Sequence, residues 1–248
     1  MDPILQAVKH RPWPLPSGPR VMQQTWHDLL FAHWPLPPEL LRPLVPSQLP
    51  LDTFEGQCWV AVTPFHMSGV RPRGSPSVPG FSAFPELNVR TYVSLNGKPG
   101  VYFFSLDAGS LTAVFAARSF FRLPYFYSRM KVKTAGPDDS VEVAYDSHRR
   151  VPVEAQFRGR YRPLGLVRLR PPGSLEHWLT ERYCLYTTTR RSVFRAEIHH
   201  LPWPLQDATA EIEINTMASA AGILLPRTQP LLHFSRELKV FIWQLHRV

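Results

Sequence analysis

Apolar Leu87 and Val89 alternate with polar Asn88 and Arg90 in the strand-like run 87–93, which with a second strand-like run, 101–106, flanks Asn96-Gly97. Period-two alternation marks strands with one buried face, and Asn-Gly supplies the positive φ angles of a two-residue hairpin turn. The apolar stretches 26–34 and 58–67, the second following a turn at 52–56, predict buried strands. Further strands are predicted over 126–134, 140–146, 152–161, 191–200, 207–214 and 231–246. Helical spacing is confined to 110–121, with short helices over 2–9, from Pro37-Pro38 through 44, and from Ser174 with His177 three residues on. Residues 69–85 are rich in proline and glycine and lack periodicity, which marks a long loop of functional or packing importance. Many strands and few short helices predict a β-rich (α+β) fold whose antiparallel sheet is curled or closed into a barrel.

Pro12, Pro14, Pro16 and Pro19 set residues 1–21 apart as a proline-rich arm, and 22–248 read as a single domain. Such arms wrap their own domain or pack on a partner subunit, so a homodimer is the assembly this feature favours. The 248 residues are 44% hydrophobic and 19% charged, ample for a core and too apolar for disorder. Two cysteines in a chain of this length make no disulfide framework and point to a reducing, cytoplasmic compartment. The first twenty residues lack the apolar core of a signal peptide, and no run of 18 apolar residues occurs, so no membrane span is expected.

The net charge of +9 is carried almost entirely by arginine, with lysine only at positions 9, 98, 131, 133 and 239. A positive field favours anionic partners. Gln156, Arg158, Arg160 and Arg162 share one face of a strand, a ladder that could follow a phosphate backbone. Phe157 and Tyr161 fall on the opposite face, which separates stacking from charge and makes nucleic-acid binding the weakest reading.

Glu86, Asn88 and Arg90 occupy positions i, i+2 and i+4 of one strand and so project together. By the same periodicity the next strand offers Phe103, Ser105 and Asp107, and the predicted helix carries Arg118. Asp107 and Arg118 are the expected counter-charges for Arg90 and Glu86. Tyr125, Tyr127 and Arg129 follow the helix and suit an anionic, partly apolar ligand. An internal salt-bridge network without chemistry fits these residues equally well. His199-His200 point to opposite faces, no metal-binding or nucleotide motif is present, and neither metal nor cofactor is expected.

Trp26-x-x-Leu-Leu-Phe-Ala-His-Trp34, Pro-Glu-Leu-Asn-Val-Arg-Thr-Tyr-Val (85–93), Gly-Val-Tyr-Phe-Phe-Ser-Leu-Asp (100–107), Ala-Ala-Arg118 and Leu-Pro-Tyr125 occur in that order. The series, from about residue 22 onward, resembles the YqjF-like family, a domain of unknown function similar in fold to acetoacetate decarboxylase. The resemblance implies a cone-like closed barrel around a pocket, with Glu86 matching an acid that decarboxylases place on a pocket strand. Those enzymes form an imine on one of two adjacent lysines, the neighbour lowering its pKa. The corresponding positions here are Tyr125 and Phe126, so the decarboxylase mechanism is not expected to carry over.

Together these features predict a polar interior pocket for a small organic acid or carbonyl compound. Glu86 and Tyr125 are its candidate catalytic groups; Asn88, Arg90, Asp107, Arg118, Tyr127 and Arg129 are its candidate ligand contacts. An enzyme without a covalent intermediate and a ligand-binding protein both fit. The alternative is a structural or interaction protein whose barrel is filled by its own side chains.

Overall fold

The computed structural model describes residues 2–78, 82–137 and 141–248. Residues 79–81 of the proline-rich loop, and residue 140 at the start of one predicted strand, lie outside the described residues.

The expected hairpin is the centre of the sheet. Strands β3 (Phe84–Leu95) and β4 (Lys98–Ala108) pair in antiparallel register across Asn96 and Gly97, both at positive φ. Outside β3 lie β2 (Cys58–Pro72) and β1 (Met22–Leu36), the two apolar runs of the sequence. On the far side of β1, β12 (Leu231–Ile242) continues the sheet, and β4 joins β9 (Cys184–Thr189), then β10 (Ser192–His199). β10 also pairs with the end of β12 through Ile198↔Ile242 and His199↔Phe241. That contact closes β10, β9, β4, β3, β2, β1 and β12 into a ring, removing the open edges of those strands.

The start of β12 also pairs with β11 (Leu205–Asn215), which leads to β8 (Ala155–Arg168), β7 (Glu142–Arg149) and β6 (Arg129–Ala135). These four strands fold back over the outer face of the ring. One core therefore lies inside the ring, around Phe65, Phe84, Leu106, Leu185 and Trp203. The other is sandwiched outside, where Val62, Leu87 and Val89 meet Tyr145, Phe157 and Tyr161. Alternation along β3 supplies both: odd positions pack outward into the sandwich and even positions face inward.

The predicted helix appears as α2 (Leu111–Phe121), after the short α1 (Pro38–Leu41). The Ser110 hydroxyl accepts the Ala113 amide at its start, and Arg122 ends it in the left-handed conformation. The predicted strand over 126–134 is two: β5 (Tyr125–Tyr127) runs parallel to β4, and after Ser128 the chain turns into β6. The helix begun by Ser174, α3 (Leu175–Thr180), leads into β9, a strand that sequence reasoning missed. The strand read over 231–246 ends at Ile242, with the two-residue β13 (His246–Arg247) separate.

The proline-rich arm runs along its own barrel. Arg11 donates to the Ile198 carbonyl at 2.7 Å, Trp13 donates to Glu197 at 2.8 Å, and Lys98 caps the same carboxylate at 2.6 Å. No helix among the described residues is long and apolar enough to cross a membrane.

Where β4 passes β9, a Cβ on Gly100 would lie 2.6 Å from the Cys184 carbonyl oxygen and 2.7 Å from its sulfur. Gly100→Ala should therefore lower stability by about 2 kcal/mol in urea unfolding, by prising the two strands apart. An unchanged midpoint would show that the ring widens there without cost.

Candidate functional site

Inside the ring is a cavity of about 940 Å3. Glu86, Asn88 and Arg90 of β3 line it together, as does Tyr125 of β5. Trp26, Phe65, Met67, Phe103, Leu106 and Leu185 make much of the remaining wall, so the lining is more apolar than the sequence suggested. Arg182, just before β9, and His200, just after β10, add polar groups that sequence reasoning missed.

Glu86 is buried, and its carboxylate accepts the Tyr125 hydroxyl at 2.8 Å. Among the described residues, no ion pair reaches it. Burial raises its pKa to about 8, opposed by the Tyr125 and Asn88 hydrogen bonds and aided by the charge of Asp107. At neutral pH the side chain is chiefly the uncharged acid. Burial, with Glu86 alongside, also pushes the Tyr125 phenol well above its ordinary value. The Tyr125 backbone is fixed in turn by Arg118, whose Nε donates to its carbonyl at 2.6 Å.

Arg90 lies over the Phe31 ring at 5.1 Å and the Tyr92 ring at 6.0 Å. Arg182 covers the other side of that region, 4.9 Å from the Tyr92 ring and 4.2 Å from Trp178, and pairs with Asp52. The Tyr92 hydroxyl is 2.6 Å from His33 Nε2, a fully buried imidazole whose pKa burial holds well below its ordinary value. Several wall residues carry buried polar atoms without a partner: Arg90 Nε, Arg182 Nη2, Asn88 Oδ1 and the indole nitrogens of Trp26 and Trp203. All but Asn88 Oδ1 are donors, and leaving donors unmatched in a low-dielectric wall is costly.

Four of the predicted site residues are placed elsewhere. Asp107 does not face Arg90. Phe104 is an unpaired extra residue in β4, since Val89 pairs with Ser105 while Arg90 pairs with Phe103. The bulge reverses the alternation, so Phe103 and Leu106 face the cavity and Ser105 and Asp107 face the outer sandwich. There Asp107 accepts Ser128 Oγ at 2.6 Å and Arg149 Nη1 at 3.3 Å. Arg118 is no counter-charge for Glu86; it is exposed on α2, held by the Tyr125 carbonyl and 5.4 Å from the Phe126 ring. Tyr127 is 46% exposed, and Arg129 lies exposed on β6. Lys131 and Lys133 are likewise exposed on β6, and no lysine is among the residues lining the cavity.

The arginine ladder is on the solvent face of β8, with Phe157 and Tyr161 buried behind it. Neighbouring strands interleave acids: Arg158 pairs with Asp146 at 3.0 Å, and Glu211 stands opposite Arg160. Among the described residues, no three His, Cys, Asp or Glu side chains come within metal-binding range of one another.

Residues 23–239 match the family model DUF2071, described as an uncharacterized conserved protein. The chain belongs to this family. The DUF2071 chain is 50% identical over 233 residues to the uncharacterized protein YqjF of Bacillus subtilis (strain 168), covering 94% of this chain and 95% of that one. Solved structures similar to this DUF2071 fold include the enduracididine biosynthesis enzyme MppR complexed with pyruvate. That match has a TM-score of 0.63 at 10% identity, over 95% of this chain and 93% of that one. An acetoacetate decarboxylase-like enzyme from Sphingomonas wittichii RW1 matches with a TM-score of 0.61 at 12% identity, over 93% and 94% of the two chains. Acetoacetate decarboxylase from Legionella pneumophila matches at 0.59 and 13%, over 96% and 91%. The acetoacetate decarboxylase-like fold expected from the sequence is thus the fold of the molecule.

Proposed function

We propose that the cavity binds a small organic acid or carbonyl compound without covalent attachment, its acid group held by Arg90 and its carbonyl facing the Glu86–Tyr125 pair. The observation that carries this reading is the wall of β3. A buried arginine with an unpartnered Nε and a buried, chiefly uncharged carboxylic acid stand four residues apart on one cavity face. The arginine supplies charge-assisted hydrogen bonds to a carboxylate. The neutral acid can polarise a carbonyl oxygen without repelling an anion. Fold neighbours with bound pyruvate, or named as decarboxylases, lend support by analogy of fold alone. An imine route has no supporting residue, because tyrosine and phenylalanine stand at positions 125 and 126.

Calorimetric titration of pyruvate and acetoacetate against pH is the test. Ionised Glu86 would repel the bound anion, so affinity should be level from pH 6 to 7.5 and weaken about tenfold per pH unit above about pH 8. Glu86→Gln should remove that weakening, and Arg90→Met should weaken binding at every pH. Binding that ignores both substitutions would rule this site out.

A further inference from the structure

The cavity is far larger than a three- or four-carbon acid needs. At roughly 30 Å3 for a water molecule's share of liquid, 940 Å3 is the space of some thirty waters. It falls at the upper end of cavities that enclose drug-sized ligands, about 300–1,000 Å3. Its ionisable groups are concentrated on β3, on Tyr125 and beside β9 and β10, while elsewhere the uncharged Gln24, Ser75, Ser82, Thr112 and Gln244 are interspersed in a mainly apolar wall. Toward α2 and the start of β1 the wall is formed by Met22, Val78, Phe84, Phe121, Ile242 and Leu245.

The helix α2 adds a second, independent observation. An ordinary surface helix turns its large apolar residues inward and its small or polar ones outward. Here Ala113, Ala116 and Ala117 line the cavity along the middle of the helix, with Phe120 and Phe121 at its end, whereas Leu111 and Phe115 are 65% and 76% exposed. Large side chains at those three alanine positions would have filled the space. Alanines keep it open with an apolar surface.

We infer that the natural ligand is an amphiphile, an acid or carbonyl head group on a hydrocarbon tail of roughly eight to twelve carbons, with the tail lying along the apolar wall beneath α2. This rests on the head-group reading above and adds the substrate class. Burying the tail removes methylenes from water one by one. Each contributes about a fourfold gain in affinity while room remains.

The experiment is a titration of straight-chain 2-oxo acids from three to twelve carbons, below their micelle concentrations, with alkyltrimethylammonium ions of equal tail length as controls. The dissociation constant should fall about fourfold per methylene across most of the series. Arg90→Met should weaken every member, and the cationic controls should fail to bind. Ala117→Trp, which fills space under the helix, should weaken the ten-carbon acid at least tenfold more than it weakens pyruvate. A dissociation constant independent of chain length, with binding still sensitive to Arg90→Met, would overturn the tail while leaving the head-group reading intact. Binding of no acid in the series would overturn both. Cations binding as tightly as acids would overturn the amphiphilic acid as the ligand. If Ala117→Trp does not fold, the chain-length series on the natural chain decides.

Discussion

Glu86→Gln should make the protein more stable than the natural chain at alkaline pH, by about 4–5 kcal/mol at pH 9. Glu86 is a carboxyl whose folded pKa, about 8, sits above its ordinary value of 4.5. Such a group binds its proton more tightly in the native state. Its contribution to stability is full below about pH 4.5 and is lost as pH rises through about 8. Glutamine keeps an acceptor for the Tyr125 hydroxyl and never ionises. The two proteins should therefore be close in stability near pH 4.5, diverge up to about pH 8 and differ by a nearly constant amount above it. Urea unfolding of both between pH 5 and 9 reads the divergence. Parallel curves across that range would mean that Glu86 ionises like an exposed carboxyl, and the neutral-acid role would fall with it.

Arg149→Ala should cost about 3–5 kcal/mol, because it strands a carboxylate in the outer sandwich. Asp107 is fully buried, and the Arg149 side chain is 3% exposed. Burial already raises the Asp107 pKa, and Arg149 is the chief force holding it down. Without the guanidinium, Asp107 must take up a proton or remain charged in an apolar layer. The loss should accordingly be smaller near pH 4 than at pH 8. Arg149 also lies 4.4 Å from the Phe126 ring, so packing against β5 is lost as well. Arg158→Ala is the internal control: its pair with Asp146 is nearly half exposed, and removing it should cost less than about 1 kcal/mol. Equal losses for the two arginines would refute the distinction between the buried and exposed pairs.

What the sequence made legible follows the range of the forces involved. The β3–β4 hairpin was readable because its turn chemistry and its alternation are both local. Glu86, Asn88 and Arg90 were readable for the same reason: one uninterrupted strand fixes three side chains on one face. β9 escaped because Cys-Leu-Tyr-Thr-Thr-Thr is short, largely buried and without alternation. Residues 126–134 looked like one strand because nothing local announces a parallel partner; β5 exists by pairing with β4. Arg182 and His200 flank strands and reach the cavity only through ring closure, so no spacing in the chain could reveal them. The misplacement of Asp107 had a different cause. A bulge adds one residue to a period of two, and everything beyond it changes sides.

That extra residue at Phe104 also bears on how such a pocket can change over evolutionary time. Deleting a single codon there would make Phe103 and Ser105 consecutive opposite Arg90 and Val89, so the bulge would heal while Phe103 and Leu106 kept the cavity face and Ser105 and Asp107 the outer one. Insertions and deletions in the middle of a strand are usually counted as lesions, because they turn every later side chain to the other face. At this position in the barrel a one-residue loss would leave the chemical character of the wall as it was.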